Sequence, residues 1–263
     1  MIIVGYDSSP WSEAALTWAA DEAGRTGAPL QLVYADESPV NDAAGTLDRA
    51  VARVKTIQPL IDVTARIERA PAARALVDLS LEAGLIVVGA RGHSAVGGLL
   101  GSVSTAVSAH ARCPVVVARG EPASHATVVA GVDGSALASS VLTFAAEHAA
   151  ARKATLRVVR AWPPVTGLWE ETAMATYTVT AHEREPFDAM VTEVRDTFPD
   201  LTVEAEATVA HPAGALVRAS AGAQLLVVGS RGHGALAGLL LGSVSQHLLR
   251  HSECTVAVVH RTR

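Results

Sequence analysis

The chain contains its own sequence twice, and this constrains its architecture more than any other feature. Ile3-Val4-Gly5-Tyr6-Asp7-Ser8-Ser9 matches Val129-Ala130-Gly131-Val132-Asp133-Gly134-Ser135. Ile86-Val87-Val88-Gly89-Ala90-Arg91-Gly92-His93 matches Leu226-Val227-Val228-Gly229-Ser230-Arg231-Gly232-His233, and Gly101-Ser102-Val103-Ser104 matches Gly242-Ser243-Val244-Ser245. The offset is 126 at the first glycine and 141 at the Gly-Ser pair, so the second copy has gained about 15 residues, placed between Ala161 and Pro212. A length of 263 residues fits either one large domain or two smaller ones, and the repeat selects two. The expected limits are 1–119 for the first domain and 127–263 for the second. Residues 120–126, with Gly120, Pro122 and Ser124, have the composition of a linker.

Each copy reads as five strands alternating with four helices. In the first copy the apolar runs at 2–6, 30–35, 61–67, 85–89 and 114–118 are short and β-branched, as strands covered on both faces should be. Between them, stretches such as Trp11 to Arg25 and Ala72 to Ala83 carry apolar residues at helical spacing. The expected fold is therefore α/β, with two tandem Rossmann-like domains. Each would hold a five-stranded parallel sheet with helices on both faces, joined by right-handed crossovers.

Composition then narrows the chemistry. Net charge is -5, which argues against a nucleic-acid surface or an anionic membrane as partner, so any anion must be held locally. Lys55 and Lys153 are the only lysines and neither follows a glycine, which excludes a Walker-type phosphate loop. Cys113 and Cys254 are too few for a disulfide scaffold, and their equivalent positions in the repeat argue against pairing with each other. No basic leader and no run of about 20 apolar residues is present, so a cytoplasmic location is expected.

Ligands of open parallel sheets bind beyond the carboxyl ends of the strands, where the strand order reverses. Two strand ends per copy carry unusual residues there: Asp7 and Asp133 after the first strand, and Gly89-x-x-Gly92 and Gly229-x-x-Gly232 after the fourth. The following Gly-Ser pair opens a helix, with Ser102 or Ser243 expected at the N-cap. Glycines admit a phosphate close to the backbone, and free amides at a helix start attract it without any lysine. The carboxylate belongs at the nucleoside end, since beside phosphates it would repel them. The expected ligand is a nucleotide.

With these motifs in order, the chain resembles the universal stress protein family in its tandem form, over essentially its whole length. The resemblance implies the adenine nucleotide alpha hydrolase-like variant of the fold and an ATP-binding function in stress response. The pattern Gly-x2-Gly-x9-Gly-Ser is complete in the second copy: Gly229, Gly232, nine residues, Gly242 and Ser243. By this resemblance Asp133 contacts the nucleoside and the backbone near Ala161 reads the base. Gly229, Arg231, Gly232, Gly242, Ser243, Val244 and Ser245 surround ribose and phosphates. The first-copy counterparts are Asp7, Ala35, Gly89, Arg91, Gly92, Gly101, Ser102, Val103 and Ser104. Only eight residues separate Gly92 from Gly101, and Ser8 stands where the second copy has Gly134, so the second site is the better supported of two.

Alternatives stand beside these readings. Asp7 and Asp133 serve either a ligand or the start of the next helix. Arg91, Arg231, His93 and His233 face either phosphate or water, while His110, His251 and the cysteines are read as packing at the start of the last strand. The added segment with Trp162, Trp169 and Tyr177 is either a lid over the second site or a surface loop. ATP is the expected ligand, with ADP or AMP as substitutes and Mg²⁺ as an accompanying ion. A slow ATPase is the competing function. In this family last strands pair between subunits, so 114–118 and 255–259 are expected side by side as an intramolecular pseudo-dimer, with a homodimer of chains as a further option.

Overall fold

The computed structural model describes residues 1–35, 42–92, 100–120, 127–164, 179–232 and 241–261. The first repeat runs β1 (Ile2–Gly5), α1 (Pro10–Thr26), β2 (Leu30–Ala35), α2 (Ala43–Ile57), β3 (Val63–Glu68), α3 (Ala72–Leu79), β4 (Leu85–Gly89), α4 (Ser102–His110) and β5 (Val115–Ala118). The second runs β6 (Thr127–Gly131), α5 (Ala138–Ala151), β7 (Thr155–Trp162), α6 (Ala181–Thr197), β8 (Val203–Val209), α7 (Pro212–Ser220), β9 (Leu225–Gly229), α8 (Ser243–His251) and β10 (Thr255–Val259). The alternation read from the sequence is found in both. Most of the added length lies between β7 and α6, at 163–180.

Within each repeat the strands are parallel, in the order β3-β2-β1-β4-β5 and β8-β7-β6-β9-β10. The two sheets are not separate. β5 and β10 pair antiparallel, with Val117 opposite Val256 and Val115 opposite Val258, so all ten strands form one sheet. Both strands are wholly buried, and their pairing satisfies backbone groups that an open apolar edge would leave exposed.

Side chains alternate across this sheet into two cores. Ile2, Val4, Leu32, Val87 and Val116 pack under α1, α2, α5 and α6 with Leu16, Leu47, Val141 and Phe187. Ile3, Val33, Ile86, Val88 and Val117 face the other way, against Leu76, Val107, Leu216 and Leu248 of α3, α4, α7 and α8. Equivalent helices thus share a face, and the repeats are related by a pseudo-twofold through the sheet at β5 and β10. α1 starts at Ser9, whose side chain accepts from the Ser12 amide, followed by Pro10, and stops at Gly27 with φ +67°. Among the described residues, no helix is long and apolar enough to cross a membrane.

Candidate functional site

The strand order reverses between β1 and β4, which lie side by side with Ile2 opposite Leu85 and Val4 opposite Val87. From β1 the chain leaves to one face through α1, and from β4 to the other through α4. The divergence leaves a crevice at the carboxyl ends of both strands. A cavity of about 460 Å³ opens there. Asp7, Ala35, Gly89, Arg91, Gly92, Gly101, Ser102, Val103 and Ser104 all line it, so every first-copy residue expected at the site is brought together. Sequence reasoning missed its apolar wall of Tyr6, Val33, Leu76 and Leu100. The signal was present in part: Tyr6 directly precedes Asp7 at the strand end.

Each aspartate has two tasks. Asp7 Oδ1 accepts from the Ser9 amide at 3.0 Å, and Asp133 Oδ1 from the Ser135 amide at 2.9 Å, so both shape the turn into the next helix. The N-cap of α1 is Ser9, not Asp7. The other carboxylate oxygen points at the glycine loop. A Cβ at Gly92 would lie 2.8 Å from Asp7 Oδ2, and one at Gly232 would lie 2.6 Å from Asp133 Oδ2. Glycine at these positions lets the loop backbone sit directly across from the carboxylate.

The shortened first loop keeps its anchors. The Gly101 amide donates to Ala90 O at 2.9 Å, and the Gly242 amide donates to Ser230 O at 2.7 Å. The one-residue difference therefore falls inside the loop between these anchors. Residues 93–99 and 233–240, with His93 and His233, lie outside the described residues, as do Trp169, Tyr177 and linker residues 121–126.

One expectation is corrected at the helix start: the N-caps of α4 and α8 are Gly101 and Gly242, and Ser102 and Ser243 are the first helical residues. Neither cap makes a side-chain hydrogen bond, because glycine has no acceptor to turn back onto the first amides. Ser104 Oγ donates to Ala90 O at 3.2 Å and Ser245 Oγ to Gly229 O at 2.6 Å, each pinning its helix to the end of the preceding strand.

The two cradles differ in their walls. Arg91 lies over the Trp11 ring, 4.9 Å from its centroid, and this cation–π contact holds a positive charge at the rim. Position 11 corresponds to Leu137 in the second repeat, and Arg231 there is exposed. The Tyr6 hydroxyl donates to Glu13, and Arg53 Nη1 lies 3.2 Å from Glu13 Oε2. Burial, reinforced by Glu13, pushes the Tyr6 phenol well above its ordinary range. Val132 takes the tyrosine's place in the second repeat. There Ala161 lies near the end of β7, opposite Thr208 of β8.

The two histidines ahead of the last strands, His110 and His251, are not packing residues. His110 and His251 are exposed, His110 Nδ1 lies 2.8 Å from Ala106 O, and the His251 ring sits 4.3 Å from that of His247. Cys113 and Cys254 are buried free thiols, and burial raises them to about 11 and about 12. Among the described residues no group of three or more His, Cys, Asp or Glu side chains is arranged to hold a metal ion.

The model of the universal stress protein family matches the chain twice, at residues 1–119 and 125–260. A universal stress protein of Mycolicibacterium smegmatis is 32% identical, covering 98% of this chain and 96% of the relative. One from Mycobacterium tuberculosis is 30% identical, covering 99% and 97%. Among solved structures, a universal stress protein from Pseudomonas aeruginosa superposes with a TM-score of 0.76 at 20% identity, covering 99% of this chain and 93% of that one. One from Archaeoglobus fulgidus gives 0.71 at 19%, covering 99% and 98%. The structural likeness shows the fold, and the sequence matches show descent over the full length.

Proposed function

This chain belongs to the universal stress protein family, and on that premise we propose that it is an adenine-nucleotide-binding module with one cradle in each repeat. The observation that carries the reading is the paired geometry at both strand crossings. A carboxylate faces a glycine whose added Cβ would lie within 2.8 Å of it, beside a helix whose first amides have no side-chain cap. The first-repeat cavity, at about 460 Å³, has the size of a small-ligand site.

In this reading Asp7 and Asp133 accept hydrogen bonds from ribose hydroxyls, and the backbone at Ala35 and Ala161 meets the base. The amides from Gly101 through Ser104, and from Gly242 through Ser245, receive the phosphates together with Gly89, Gly92, Gly229 and Gly232. Helix N-termini stabilise that charge, and Arg91 and Arg231 add to it. The scarcity of lysine fits such an amide-built site. ATP, with Mg²⁺ carried by its phosphates, is the proposed ligand. Nucleotide acts by favouring one conformation of the module over another, which then meets its partners differently. Buried free thiols support a reducing, cytoplasmic setting.

Titration calorimetry with ATP tests this. Two sites per chain are expected, with Asp7→Ala and Asp133→Ala each removing one. No heat at either site would overturn the proposal. Rapid single-turnover hydrolysis of bound ATP would replace the binding module with an ATPase.

A further inference from the structure

Both cradle helices end in a carbonyl that their own domain leaves unserved. In a continuing helix Ser108 O would accept from the amide of Arg112, but that amide donates to Ser80 Oγ at 2.9 Å. Leu249 O loses the amide of Glu253 in the same way, to Ser220 Oγ at 3.3 Å. Ser108 and Leu249 are repeat-equivalent, at the offset of 141.

The donors come from the opposite repeat. His260 Nε2 lies 2.9 Å from Ser108 O, and Arg119 Nη2 donates to Leu249 O. Arg119 and His260 are equivalent to each other and directly follow β5 and β10. Each is also tied to the glycine loop of its own repeat. The Ala90 amide donates to Ala118 O at 3.1 Å, and the Ser230 amide donates to Val259 O at 2.7 Å. Two unbroken routes result. One runs from the first glycine loop through Arg119 into α8 and the second cradle. The other runs from the second loop through His260 into α4 and the first cradle. Each helix is nine residues long, about 13 Å, so both ends belong to one rigid turn-by-turn unit.

We propose that Arg119 and His260 are positioning residues, each holding the helix of the other domain's cradle, so that losing either one weakens anion binding in the opposite domain rather than in its own. The ligand named here rests on the nucleotide reading above; the crossed hydrogen bonds do not. The two routes are unequal. Arg119 brings a cation to the negative end of α8, a favourable placement that secures this helix terminus. His260 is held below its ordinary value by burial, with the Arg231 charge acting in the same direction, so it serves α4 as an uncharged donor.

The test reads each cradle alone in the full chain, using ATP in an Asp7→Ala background for the second and in an Asp133→Ala background for the first. Arg119→Ala is expected to weaken the second cradle by about fivefold or more while leaving the first within about twofold. Arg119→Lys should restore most of the loss, because it keeps a long cationic donor. His260→Ala should give the mirrored pattern at smaller amplitude. Amide hydrogen exchange without ligand provides a separate readout. Arg119→Ala should speed exchange in Ser243–His251 and not in Ser102–His110. Equal weakening of both cradles, a loss confined to the altered residue's own domain, or unchanged exchange would overturn the proposal. If the unaltered chain binds no ATP, the nucleotide reading fails and the exchange pattern alone decides the crossed positioning.

Discussion

Glu22 and His148 occupy equivalent positions in the two repeats and meet across the seam, with Glu22 Oε1 3.2 Å from His148 Nε2. Arg152 Nη2 completes the cluster, 2.6 Å from Glu22 Oε2, and its guanidinium lies 5.2 Å from the Trp18 ring centroid. The His148 ring stacks on Phe144 at 3.9 Å, and Phe144 is the repeat equivalent of Trp18. The pseudo-twofold brings like positions together, so two identical first repeats would set Glu22 against Glu22. The tandem chain has diverged at this position and gained an attraction.

Glu22→Ala should therefore be costly. It leaves the Arg152 side chain, 4% exposed, without its counter-charge, a change of about 3–5 kcal/mol for a buried pair broken on one side. Urea unfolding of the full chain measures it. A loss below about 1 kcal/mol would mean that the cluster behaves as an exposed ion pair.

Acid should loosen the protein in two stages. Burial opposes the Glu22 carboxylate, but His148 and Arg152 outweigh burial and hold it at about 2 against an ordinary 4.5. Its contribution, on the order of 3 kcal/mol, is complete above about 4.5 and is lost as pH falls toward 2. His260 is also depressed, by burial, below its ordinary 6.5. Its unfolded form takes up the proton first, so this contribution is full above 6.5 and declines as pH falls below it. Scanning calorimetry should show Tm falling below about pH 6.5 and more steeply below about 4.5, with the first stage absent in His260→Gln.

Gly89 and Gly229 should differ in tolerance. A Cβ at Gly89 would lie 2.6 Å from the Trp11 carbonyl carbon and oxygen and 2.9 Å from the Ser12 amide, all backbone. At Gly229 the nearest atom, Arg231 O, is 3.1 Å away, and the next are Leu137 side-chain atoms. Gly89→Ala is expected to cost about 2–3 kcal/mol and Gly229→Ala about 1 kcal/mol or less, measured by chemical denaturation.

Helix ends offer a gain. Gly27 closes α1 at φ +67°, while its equivalent after α5 is Lys153 at φ +52°. The lysine Cβ is crowded in that left-handed region, which glycine adopts without penalty. Lys153→Gly should raise stability by about 1 kcal/mol, read as a higher urea midpoint at unchanged slope.

The strands, helices and repeat were legible in the sequence because each is encoded locally. Short β-branched runs, three-to-four apolar spacing and glycines at fixed intervals report on neighbours a few residues away. Asp7 and Gly92 could be paired in advance because the fold class places their two strands side by side. The N-cap at Gly101, one residue before the expected Ser102, is a difference of local geometry that composition does not encode. Other relationships depend on positions more than a hundred residues apart. The pairing of 114–118 with 255–259 was expected only through the family resemblance and is found at β5 and β10, whereas the meeting of Glu22 with His148 and the crossed bonds of Arg119 and His260 arise at the seam with no sequence signal. Those contacts were decided only when β5 and β10 paired edge to edge, because that pairing sets which side chains of the two repeats become neighbours.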